Sequence, residues 1–196
     1  MTFINTIAED EATEDVAALY NQGRETFGYL PNMFRAFSHR PQVMRAYFDL
    51  LGSIRSEMDS RRYELVTVAA ARALRCSYCM LAHGSILRRD FYSPEDTIAI
   101  AKDFHSSELD AVDIDIMAFA EKVVRDATSI TESDIDELRS HGLTDSEIFD
   151  IVTAAAVRCF YTKTLDALGA RPDEAYNDIE EGLREALTVG RAIDGT

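Results

Sequence analysis

The chain has 196 residues, 46% of them hydrophobic, and a formal net charge of -15. That length suits one core rather than two, and so negative a surface repels phosphate backbones and anionic lipid, which argues against nucleic acid or a membrane as partner. Only nine Gly and four Pro punctuate the sequence, so turns are few, elements are long and the expected fold is all-α.

The first basic residue is Arg24 and no apolar run approaches the roughly 20 residues that cross a bilayer. The expectation is a cytoplasmic protein of one helical domain over residues 1–196, with 1–14 and 188–196 as loose ends. Three cysteines make no disulfide framework, and in a reducing compartment a close pair points to metal or redox chemistry.

The acidic stretch "MTFINTIAEDEATED" is irregular, and helical spacing begins at Val16 to end near Gly28 and Pro31. Pro31 and Pro41 bracket a short helix, "NMFRAFSHR". From Pro41 a longer helix places Val43, Tyr47, Leu50, Leu51 and Ile54 along one stripe, which predicts packing on that side. "SRRYELVTVAAARALR" is apolar nearly all round and reads as a buried central helix.

"CSYCMLAHG" follows at once. Ser93-Pro94-Glu95 then opens another helix with an N-cap serine and a first-turn proline. "SSELDAVDIDIMAFAEKVVRDA" is an amphipathic stripe, and its carboxylates, Asp113 and Asp115 among them, read as a solvated face. "TESDIDELRSHG" is a short helix stopped by Gly142. Thr144 to Glu147 forms a capping-box start for the helix "EIFDIVTAAAVRCFYTKTLDALG". One last helix, "PDEAYNDIEEGLREAL", occupies the tail.

Residues 64–83 and 147–166 align as an internal repeat, with identities at Glu64/Glu147, Ala71/Ala154, Ala73/Ala156, Arg75/Arg158, Cys76/Cys159 and Tyr78/Tyr161. The expected fold therefore contains a duplicated helical unit, with halves around 60–90 and 144–170. In the second half Thr162 replaces Cys79 and Asp166 replaces His83, which singles out Cys79 and His83 as specialised. Cys159, without a partner in its own turn, reads as buried packing.

A C-x-x-C pair brings two sulfurs within bonding reach when the second cysteine lies in the first turn of a helix. With Ser77 as N-cap, Cys79 is the second helical residue, where unsatisfied N–H groups and the helix dipole favour a thiolate. His83, four residues on, shares its face and can exchange a proton with the thiol or its substrate. Gly84 leaves room beside that face. These residues leave four readings open: a catalytic dithiol, a zinc site of Cys76, Cys79 and His83, a non-catalytic redox switch, or two buried cysteines with a core histidine. Zinc lacks a fourth ligand in the usual spacing, whereas spacing, helix placement and histidine all agree with a dithiol.

The pattern Glu64-x11-Cys76-x2-Cys79-x3-His83, within "YELVTVAAARALRCSYCMLAH", resembles the alkylhydroperoxidase D-like group of the carboxymuconolactone decarboxylase superfamily. The segments "LPNMFRAFSHRPQVMRAYFDLL" and "LDALGARPD" are similar to those of its peroxidase-related members, and Tyr78 stands where the best-known member has a histidine. The resemblance implies an alkylhydroperoxidase D-like helical bundle, a homo-oligomer that reduces organic hydroperoxides or hydrogen peroxide without a cofactor or metal. It implies Cys79 as the attacking thiolate and Cys76 as the resolving thiol in a Cys76–Cys79 disulfide. His83 and Glu64 are then the proton relay, and a thioredoxin-like or lipoyl-bearing protein is the reductant. A lactone decarboxylase is the other enzyme the superfamily offers, but it needs no C-x-x-C. In a straight helix Glu64 lies about 18 Å from Cys76, so it joins the site only through a bend, a helix hairpin or a neighbouring subunit.

Overall fold

The computed structural model describes residues 2–195, which form ten α-helices and no strand. They are α1 (Glu14–Phe27), α2 (Asn32–Ala36), α3 (Pro41–Arg55), α4 (Ser60–Ala73), α5 (Ser77–Asp90), α6 (Pro94–Asp103), α7 (Ala111–Asp126), α8 (Glu132–Ser140), α9 (Asp145–Leu168) and α10 (Glu181–Leu187). The all-α expectation holds.

Helix α4 is the axis of the bundle. Asp59 caps it by accepting the Arg62 N–H; from Tyr63 to Ala71 every residue is buried, and α5, α7 and α9 pack around it. Alanine at 69, 70 and 71 lets neighbouring backbones approach closely on several sides.

The helix stops at Leu74 in a hydrogen-bonded turn: the Cys76 N–H donates to the Ala71 carbonyl and the Arg75 N–H to the Arg72 carbonyl, both at 3.0 Å. This is the Schellman arrangement, whose left-handed residue is usually glycine, as it is at Gly142 and Gly169 after α8 and α9. Here the position is Arg75, at φ 56, at a cost of about 1–2 kcal/mol. The turn sends α5 back along α4. The two halves of the sequence repeat therefore adopt different conformations: the first breaks into α4 and α5, while the second runs unbroken through α9. The capping box of Thr144 and Glu147 opens α9 as the sequence predicts.

Four expectations change. In α3, Pro41, Met44, Tyr47 and Ile54 face inward; Val43 and Leu50 instead stay exposed and, with Phe160 of α9, line an apolar groove. Asp113 is not solvated but buried between Arg61 (2.6 Å) and Arg62 (3.5 Å), locking α7 to the start of α4. The predicted last helix is split: a 3-10 turn at Glu174–Asp178 precedes extended Ile179 and then α10. Asp173 is held there by the Asn32 N–H at 2.6 Å and by the Tyr78 hydroxyl, so the chain cannot continue one helical path.

The loose ends, finally, carry no α-helix but are tied down. The Phe3 N–H donates to Leu168 O, the Ile7 N–H to Ser38 Oγ, and the Gly190 N–H to Ser77 Oγ at 2.8 Å. Ile193 is buried.

A Cβ on Gly190 would lie 2.0 Å from the Arg75 carbonyl oxygen, part of the strained turn. Gly190→Ala is expected to lower stability in denaturant titration by about 1–3 kcal/mol. Gly52→Ala, in α3 with open space around it, is expected to raise it by about 0.5–1 kcal/mol. Equal effects at both positions would mean that the tail is not packed on the α4–α5 turn.

Candidate active site

The N-cap of α5 is Cys76 rather than Ser77, so Cys79 is the third helical residue, one later than the sequence suggested. Ser77 is instead spent on the C-terminal segment, accepting the Gly190 N–H. Cys79 still sits in the first turn, where free N–H groups favour an anion. Both cysteines are buried and reduced.

The two thiols share a hydrogen bond that sets them apart. It lowers the Cys79 pKa, with Arg158, His83 and the Thr162 hydroxyl adding to the effect against the cost of burial. It raises that of Cys76, with burial and the Asp166 carboxylate adding. Both shifts favour the negative charge on Cys79 over Cys76.

The hairpin brings Glu64 to His83, the outcome sequence alone left open. Glu64 Oε2 lies 2.5 Å from His83 Nδ1. Glu64 is 2% exposed and His83 15%, so the carboxylate is no surface helix-start residue, and the imidazole is the member of the pair nearer solvent. Arg55, half-exposed, approaches the other carboxylate oxygen at 4.0 Å and lies over the Tyr63 ring. Gly84 does leave room beside this face, but Leu187 of α10 fills it.

Helix α9 supplies what sequence reasoning missed. Thr162 Oγ1 is 3.3 Å from Cys79 Sγ, so the residue that replaces Cys79 in the repeat touches it. Arg158, one turn earlier, is fully buried and donates to the Tyr63 hydroxyl at 2.9 Å. Asp166, one turn later, is the neighbour that raises Cys76. The repeat carried the signal: all three residues align with the C-x-x-C segment. Cys159, expected as buried packing, is only partly covered.

Tyr78 is not part of this set. Its hydroxyl donates to Asp173 and accepts the Met33 N–H at 3.1 Å; burial and the Asp173 charge hold its pKa well above the ordinary phenol range. It clamps the "LPNMF" and "GARPD" segments together. Nor do Cys76, Cys79 and His83 converge as a metal site. Among the described residues the group of three whose ligand atoms do converge is Asp115, Glu137 and His141, where α7 meets the end of α8. Among the described residues no helix is long and apolar enough to cross a membrane.

Residues 41–103, from the start of α3 to the end of α6, match the carboxymuconolactone decarboxylase family. No curated protein sequence matches the chain. Among solved structures, an uncharacterized peroxidase-related protein with an alkylhydroperoxidase AhpD core, from Ralstonia eutropha JMP134, is 25% identical. It superposes with a TM-score of 0.79 over 89% of this chain and 94% of its own. An uncharacterized peroxidase-related protein from Silicibacter sp. TM1040 is 23% identical, with a TM-score of 0.78 over 88% and 94%. The debrominase Bmp8 shares the fold at 16% identity and a TM-score of 0.72, over 95% of this chain and 97% of its own. The family match spans the buried helix, the C-x-x-C and His83, so residues 41–103 are similar to the carboxymuconolactone decarboxylase family, and the bundle around them has the fold of the first of these structures, with its alkylhydroperoxidase AhpD core.

Proposed function

We propose that the protein is a thiol-dependent peroxidase that reduces hydroperoxides through Cys76 and Cys79. The observation that carries this reading is the buried cysteine pair at the start of α5, with Cys79, whose pKa is lowered, in the first turn near the His83–Glu64 pair. The Cys79 thiolate attacks the terminal oxygen of the hydroperoxide. The O–O bond breaks, the sulfur becomes a sulfenic acid, and the departing alkoxide takes a proton through His83, which Glu64 orients. Cys76 then attacks the Cys79 sulfur, forming the disulfide and releasing water. A dithiol protein of the thioredoxin-like or lipoyl-bearing kind returns both cysteines to thiols.

The peroxidase-related names of the two similar structures agree with this chemistry, while the debrominase on the same fold shows that the bundle alone does not dictate it. The exposed groove of Val43, Leu50 and Phe160 supports a homo-oligomer, since apolar surface of this kind is commonly covered by a second subunit. The reading includes a cytoplasmic setting, where the dithiol would be kept reduced.

One equivalent of an organic hydroperoxide is expected to remove two hydrogens from the reduced parent. Cys76→Ser should trap a sulfenic acid and Cys79→Ser should not react. No change of intact mass in the parent would remove the peroxidase reading. The rate of reaction should rise with pH through the lowered Cys79 pKa and be level by neutrality. A profile still climbing at the pH of an ordinary thiol would contradict the thiolate assignment. His83→Gln should slow peroxide reduction by on the order of 100-fold, measured by single-turnover kinetics.

A further inference from the structure

Arg158 has an unusual setting. It is 2% exposed; among the described residues no carboxylate pairs with it, its Nε has no hydrogen-bond partner, and Nη2 donates to the Tyr63 hydroxyl. A guanidinium stays protonated, and a buried charge without a counter-charge is strongly destabilising. The core must therefore supply an anion.

The groups facing it are the hydroxyls of Tyr47, Tyr63 and Tyr161 and the sulfur of Cys79. Burial raises the pKa of Tyr47 and Tyr161, whereas that of Cys79 is lowered, with Arg158 among the causes. The geometry agrees. Arg158, Thr162 and Asp166 stand four residues apart on α9 and share one face; the middle member touches Cys79 Sγ, and the charge of the last bears on Cys76. The positive end of that stripe lies toward Cys79 and the negative end toward Cys76.

We propose that this face of α9 sets the polarity of the dithiol: Arg158 is the counter-charge that holds Cys79 as a thiolate, and Asp166 keeps the proton on Cys76. Both act through the cysteines and are positioning residues. The other groups around the pair add to this asymmetry or oppose it without replacing the two charges of α9. His83 is already engaged by Glu64; Tyr47, Tyr161 and Tyr176 face Cys79 as neutral phenols; and Arg191 lies 3.6 Å from Asp166, offsetting its charge only in part. The catalytic meaning of this polarity rests on the peroxidase reading, but the polarity itself does not require peroxide.

The test is an NMR titration of the isotope-labelled cysteine Cβ resonances in the full reduced chain, which reads each thiol separately without peroxide. Arg158→Met is expected to raise the Cys79 midpoint by about one pH unit or more, and Arg158→Lys, which keeps the charge, to stay closer to the parent. Asp166→Asn is expected to lower the Cys76 midpoint, and because Asp166 is partly exposed this variant serves if Arg158→Met does not fold. A folded Arg158→Met with an unmoved Cys79 midpoint, or an Asp166→Asn with an unmoved Cys76 midpoint, would overturn the proposal. If the midpoints move as expected while hydroperoxide leaves the parent mass unchanged, the peroxidase reading fails and the polarised dithiol stands.

Discussion

Everything at the dithiol depends on the chain stopping one helix at Leu74 and starting the next at Ser77. Were α4 to continue, Glu64 and His83 would be separated by nineteen residues of helix, about 28 Å, and Cys76 and Cys79 would lie mid-helix with their N–H groups already used. The turn at Arg75 does three things at once. It frees backbone N–H groups around Cys79, lays the imidazole beside the carboxylate, and presents a carbonyl over which the tail crosses at Gly190. A left-handed arginine is a costly way to make such a turn. Strain of this kind persists where the surroundings over-determine it, and here α4, α5 and the C-terminal segment all bear on it.

The second constraint is that the site is half local and half remote. Helices α4 and α5 hold the sulfurs and the acid–base pair; α9 brings an unpaired guanidinium, a hydroxyl and a carboxylate to the same place. The repeat makes this intelligible. Two related helical segments meet face to face, one broken and bearing thiols, the other straight and bearing charges, so that positions aligned in sequence, Cys79 and Thr162, also touch in space. One copy carries the thiols while the other surrounds them with charge.

Much of the bundle was readable from residues alone. The capping box at Thr144, the cap at Ser93 and the stop at Gly142 are local signals, and the structure uses each of them. The burial of α4 follows from its alanines. What sequence patterns missed was non-local. Val43 and Leu50 have the spacing of a buried stripe, but α9 covers only part of α3. Asp113 sits in an acidic run yet finds two arginines from α4. The hairpin that recruits Glu64 hinges on a residue, Arg75, that no turn rule would choose. Arg158 looks in sequence like any cation near the end of an apolar run; only its burial without a carboxylate sets it apart.

The division of the site also orders its assembly in time. Glu64 and His83 lie nineteen residues apart in sequence, whereas Cys79 and Thr162 lie eighty-three apart, and contacts closed over short loops form ahead of those closed over long ones. The hairpin can bring acid–base pair and cysteines together early, during synthesis, while α9 is still undocked. On the α9 stripe's assignment, the sulfur gains its arginine neighbour only when the last long helix packs. An unfinished chain would then lack the charges that α9 brings, and the dithiol would gain its full polarity only with the completed core.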